Sequence, residues 1–365
     1  MNQINGEMSN FSLYAIASIK GYRIDENFKA FGLFYSTTCW ICFAFGVALN
    51  SLLIWLVLFK TVGEMKSYSK ILLQSCILDL YTLCMAVLVQ PVYIMLDGYM
   101  IMLQNGQFRP TGQPWNFIMA ELWVFGYYFS IISIVIQFLY RYLVLVKASN
   151  VTAGKLFLML LIGASLIWGY MGMLFYAQYP RKTINDDLGS ALHRYFDYDP
   201  GMKPIQISMI GRPDSYRCLM HCAYIFSIEV ICYVTIIWCC IKIRDFVRQA
   251  TLLKSQNKRI LEINKQLTYT LIIQACLPLV AVLIGVFCIL VCSSAILAGR
   301  FMSFYFISFM TFPVPSIPVM NPLITLIVIK PYRNIILGRK QIWSSTGNSA
   351  TVQPSTAVPP TSMHD

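Results

Sequence analysis

Seven stretches of this chain are long enough and apolar enough to cross a bilayer as helices. They fall at about Tyr35–Phe59, Ile71–Leu96, Phe117–Val146, Leu156–Gln178, Met220–Ile241, Leu267–Cys292 and Ser303–Ile329. A spanning helix needs about 20 apolar residues, because the hydrocarbon core is roughly 30 Å thick and each residue rises about 1.5 Å. Four of the seven hold no Asp, Glu, Lys or Arg; the others carry Asp79, Glu121 with Arg141, and Glu229. Composition agrees: 57% of residues are hydrophobic and 12% charged, roughly half the charge of a soluble chain. The pattern predicts an all-α membrane protein, a bundle of seven transmembrane helices.

Orientation follows from where Lys and Arg collect, since cytoplasmic segments hold the excess. With the N-terminus outside, 17 of the 28 basic residues lie on the cytoplasmic side, while nine of the 16 acids lie outside. The basic balance of +12 is thereby explained as attraction to anionic lipid headgroups, and no nucleic-acid partner is expected. The polar first 30 residues do not read as a cleavable signal peptide. Residues 1–34 are expected outside, 35–329 form the bundle, 330–343 lie as an amphipathic helix on the inner leaflet, and 344–365 form a disordered tail rich in Ser, Thr and Pro. Asn10-Phe11-Ser12 is a glycosylation acceptor on the outer side. The outer loop between Tyr179 and Leu219 is expected to fold as a lid. Most cysteines sit inside apolar helices as packing residues; Cys218, Cys222 and Cys292 lie near the outer edge, with their pairing open.

Strong polar groups within a bilayer cost a few kcal/mol each and therefore face the bundle interior. Asn50, Asp79, Arg141 and Asn321 are such groups, and Pro278 and Pro322 each remove a backbone hydrogen bond from a helix. Trp168 stands in the fourth helix. Singly, each reads as interhelical glue or a packing kink. Helical spacing adds one stripe on the third helix: Arg141, Gln137, Ile134, Ser130, Tyr127 and Trp123 share a face. If Arg141 faces an inner cavity, Tyr127 and Trp123 face an outer one. With Glu229 and Tyr305 they form a candidate ligand pocket; the alternative is that the aromatics are core and Glu229 bonds a neighbouring helix.

The ordered set Asn50, Asp79, Arg141, Trp168, Pro278 and Asn321-Pro322 resembles the one-per-helix signature of rhodopsin-like G-protein-coupled receptors. The segments "SYSKILLQSCILDL", "IQFLYRYLVLVK", "NKQLTYTLIIQACLPL" and "NPLITLIVIKPYRNII" resemble the nematode serpentine chemoreceptors of the Str superfamily, class d or str, over about Phe31 to Arg339. The resemblance implies a plasma-membrane receptor of sensory cells, taking an odorant-like or pheromone-like small molecule and activating a heterotrimeric G protein. Arg141 would meet the G protein when the bundle opens. Four departures stand out. Tyr140 replaces the acid that precedes this arginine, so another lock is needed, for which the Tyr140 and Tyr142 hydroxyls are candidates. Cys276 replaces a common tryptophan, and Thr325 a common tyrosine. The outer end of the third helix lacks the cysteine that staples the long outer loop.

A ligand-gated channel or transporter is the alternative function, but no pair of broken helices meets at mid-membrane and no ring of charges suggests a filter. An enzyme is not expected, since HExxH and GxSxG are missing. No cofactor and no metal are expected.

Overall fold

The computed structural model describes residues 24–61, 66–96, 99–108, 111–180, 207–252, 258–297 and 313–338. Its helices are α1 (Ile24–Phe59), α2 (Lys66–Val89), α3 (Trp115–Leu145), α4 (Ala153–Gln178), α5 (Tyr216–Leu252), α6 (Lys258–Leu297), α7 (Ile317–Val328) and α8 (Lys330–Ile336). Helices α1 to α6 are each long and apolar enough to span a membrane. The 3-10 turn Val314–Ser316 and α7 bend by 91° into α8, and only the bent pair taken together is long and apolar enough to count as a seventh span. The first part of the expected seventh span, with Tyr305, lies outside the described residues, as do Asn10, the tail and most of the long outer loop.

The helices close into a ring in which α1 packs on α2 and α7, α4 on α5, α5 on α6, and α6 on α7. Helix α3 runs through the middle and touches α2, α4, α5 and α6. It is accordingly the most buried span. Close approach is set by small residues, as membrane helices require where no hydrophobic force draws them together. Any side chain on Gly46 would strike Leu83, and any on Gly163 would strike Ile132. The outer faces of α4 and α5 instead expose Phe157, Leu161, Phe226 and Trp238, which suits lipid and nothing else.

One expected boundary changes. The second apolar run, read as helical to Leu96, ends as a helix at Val89. Gln90 adopts φ 45°, and Pro91 cannot supply a helical N–H and pushes its predecessor out of the α region. The remaining "PVYIML" forms β1 (Pro91–Leu96), paired antiparallel with β2 (Tyr99–Gln104). Strand β3 (Ile207–Gly211), from the long outer loop, adds to β2. Hydropathy cannot separate a buried strand from the end of a helix, so this three-stranded sheet was invisible to it.

Helix α8 runs from Lys330 to Ile336, and residues 339–343 of the expected amphipathic helix lie outside the described residues. The hydroxyls of Tyr332 and Thr61 lie 2.9 Å apart, tying α8 to the end of α1.

Candidate functional site

Three of the four polar residues singled out from the sequence, Asn50, Asp79 and Asn321, meet in one seam between α1, α2, α6 and α7. Pro322 has no N–H to offer the carbonyl four residues earlier, that of Pro318. Asn50, fully buried, donates to that carbonyl at 3.1 Å while also donating to the Gly46 carbonyl at 2.9 Å. Asn321 donates to the Asp79 carboxylate at 2.8 Å. Gln274, four residues before the buried Pro278, donates to the Asn321 carbonyl at 3.0 Å and to the Thr325 hydroxyl at 3.1 Å. The two prolines thus sit where side chains from neighbouring helices bind α7. Thr325 has a place in this network, whereas Cys276 is exposed on the outer face of α6. Trp168 also lies on the outside of the bundle, 63% exposed, with its ring 5.7 Å from that of Phe125. It is a lipid-facing residue and joins neither seam nor pocket.

Arg141 lies at the end of the bundle that holds α8 and is only 2% exposed. Its Nη2 donates to the backbone carbonyl of Asn264 on α6 at 2.8 Å. The guanidinium sits over the Tyr68 ring at 5.4 Å, and the Tyr68 hydroxyl donates to Asn264 Oδ1 at 3.3 Å. Tyr140 packs edge-on against Tyr68 at 6.5 Å, and Tyr142 packs against Trp238 at 4.7 Å. The contact between α3 and α6 therefore runs through Tyr68 and Asn264. Arg141 Nε and Nη1 have no hydrogen-bond partner among the described residues. The Asn264 carbonyl and the Tyr68 ring compensate this buried guanidinium for its lost hydration less fully than an acid would. Nearby, Lys330 binds Glu262 of α6, and its backbone N–H donates to the Gln266 side chain at 3.0 Å. Nothing in the spacing of Tyr68 or Asn264 marks them; they are found only once α2 and α6 are placed beside α3.

Toward the other end of α3, Trp123 and Glu229 are buried and Tyr127 is half-buried. Glu229 stands on α5, which packs against α3. The Trp123 indole N–H has no hydrogen-bond partner among the described residues. Tyr127 and Tyr128 pack edge to face at 5.0 Å, and Tyr128 and Tyr170 at 5.1 Å.

This end is closed by the sheet. Asn116 in the first turn of α3 is fully buried: Ser208 of β3 donates to its Oδ1 at 2.5 Å, and Gln104 of β2 donates to its carbonyl at 2.6 Å. Gln113 donates to the Ile207 carbonyl at 2.6 Å. Strand pairing and these bonds fasten the outer loop to α3 where the sequence has no cysteine to do it.

The backbone resembles that of squid rhodopsin in its crystal structure, with TM-score 0.51, 12% identity and 85% of each chain covered. That likeness establishes the rhodopsin-like fold. No curated protein matches the chain significantly. The family model for the serpentine type 7TM GPCR chemoreceptor Srd matches residues 35–338, nearly the whole described chain. The protein is therefore a multi-pass membrane protein and belongs to the Srd family of serpentine seven-transmembrane G-protein-coupled chemoreceptors.

Proposed function

We propose that this receptor sits in the plasma membrane with its N-terminus and sheet outside, binds a small organic molecule beneath the sheet, and activates a heterotrimeric G protein at the Arg141 end. The observation that carries the reading is Arg141 itself. Its burial against the Asn264 carbonyl supports a closed state in which α6 covers the guanidinium. Ligand would act by binding the open arrangement better, and the difference in affinity sets how far the population moves.

The proposed pocket is lined by Trp123, Tyr127 and Glu229. A buried acid inside a membrane marks a functional site by default, and Glu229 here favours a ligand that carries a protonated amine or another hydrogen-bond donor. The aromatics supply flat apolar area around it. Asn50, Asp79, Pro278, Asn321 and Pro322 form the seam about which α6 and α7 move.

The test is nucleotide exchange by purified G protein in the presence of receptor, driven by a panel of volatile and water-soluble small molecules. Trp123→Ala and Tyr127→Ala should lose the response while surface expression stays normal. An unchanged dose response would remove both from the pocket. Ligand-evoked current in cells without G protein would favour the channel alternative instead.

A further inference from the structure

We infer that the sheet end of the receptor holds a site for a thiophilic cation of the zinc class, formed by Cys218, His221 and Cys222 on α5. Their spacing, i, i+3 and i+4, sets all three on one face of the helix. Their ligand atoms lie within 4.8 Å of one another, and Cys222 Sγ and His221 Nε2 are 3.7 Å apart. A tetrahedral zinc ion with Zn–S of about 2.3 Å and Zn–N of about 2.0 Å keeps its donors roughly 3.5–3.8 Å apart. Small side-chain rotations close the remaining gap.

The imidazole is prepared for this role. His221 is 4% exposed, its ring stacked on Tyr170 at 6.0 Å, and Gln178 Nε2 lies 3.1 Å from its Nε2. For Nε2 to accept from that amide, the ring proton must be on Nδ1, and Nδ1 has no partner among the described residues. A metal ion would displace the Gln178 amide from the Nε2 lone pair, which lies beside the Cys222 thiol. Two thiolates and one imidazole form a donor set that prefers zinc or cuprous ion over hard cations, with a fourth position left for water or the Gln178 amide. A disulfide is the competing chemistry, but residues four apart on a helix have Cβ atoms about 5–6 Å apart, whereas a disulfide needs about 3.5–4.5 Å. Both thiols are free in the structure.

Bound metal would stiffen the outer end of α5 next to Gln178 of α4, and Tyr170 and Tyr128 connect that point to the proposed pocket. The site stands on its own geometry and does not depend on the ligand reading. Full-length receptor in lipid nanodiscs, reduced and stripped of metal, is titrated with Co2+ and followed by absorbance. The expected result is one equivalent giving thiolate-to-metal charge-transfer bands with tetrahedral visible bands. These bands vanish in Cys218→Ser/Cys222→Ser, weaken at least tenfold in apparent affinity in His221→Gln, and are displaced by Zn2+. A second readout needs no variant: equimolar Zn2+ should slow maleimide labelling of Cys218 and Cys222, mapped by mass spectrometry, while Cys84 and Cys276 label at unchanged rates. Bands that persist in the double variant, no bands in wild type, or labelling insensitive to Zn2+ would overturn the site.

Discussion

The two ends of the bundle are built to opposite standards. At the sheet end, Asn116 is buried with both its side-chain oxygen and its carbonyl accepting hydrogen bonds from different strands. At the other end, Arg141 is as deeply buried yet rests on the Asn264 carbonyl and the Tyr68 ring, with Nε and Nη1 lacking a hydrogen-bond partner among the described residues. Burial with satisfaction makes a rigid cap; burial without it stores a reason to move. The contrast teaches where motion should occur: the sheet end holds shape for recognition, while α6 is weakly held over Arg141 and the receptor should show basal activity.

The largest effect should come from Arg141→Met. Replacing an under-paired buried charge by an apolar side chain is neutral or stabilising by about 1–4 kcal/mol. The variant should therefore melt no lower than wild type while losing G-protein nucleotide exchange altogether; retained exchange would break the comparison at its root. Next comes Asn116→Ala, which strips partners from Ser208 and should cost about 1–3 kcal/mol. Thermal denaturation in nanodiscs reads this as a drop of several degrees, and an unchanged midpoint would show that the cap is not held this way. Tyr68→Phe keeps the ring under Arg141 but deletes the bond to Asn264, worth about 0.5–1.5 kcal/mol. Basal exchange should rise about 2–10-fold. Smallest is Glu262→Gln: its pairing with Lys330 is half-exposed, and such pairs contribute about 0–1 kcal/mol. A rise in basal exchange well beyond about fivefold would mean that α8 holds α6 more firmly than Arg141 does.

Much of this was legible from residues alone because a bilayer leaves few options. Apolar runs of fixed length give the spans, and Asn50, Asp79, Arg141 and Asn321 had to face inward. What hydropathy could not reveal was chain geometry after Pro91, where an apolar strand and an apolar helix end look alike. It also could not tell an inward from an outward tryptophan, so Trp168 was grouped with the polar set although it faces lipid. Tyr68, Asn264 and Gln274 matter through contacts between helices distant in sequence, which no local spacing encodes. The cluster at Cys218, His221 and Cys222 does have a helical-face signature, obscured because Cys218 and Cys222 read as outer-edge cysteines whose pairing was open.

The central claim is that α6 rests only lightly over Arg141. Spin-labelled non-natural residues at the exposed Lys155 and Lys265, placed near the ends of α4 and α6 on the Arg141 side, allow the distance between them to be measured by pulsed electron resonance without ligand. Wild type should give two populations, the longer one shrinking in Tyr140→Glu, where an acid beside Arg141 supplies the missing partner. A single short distance, identical in wild type and variant, would contradict the account.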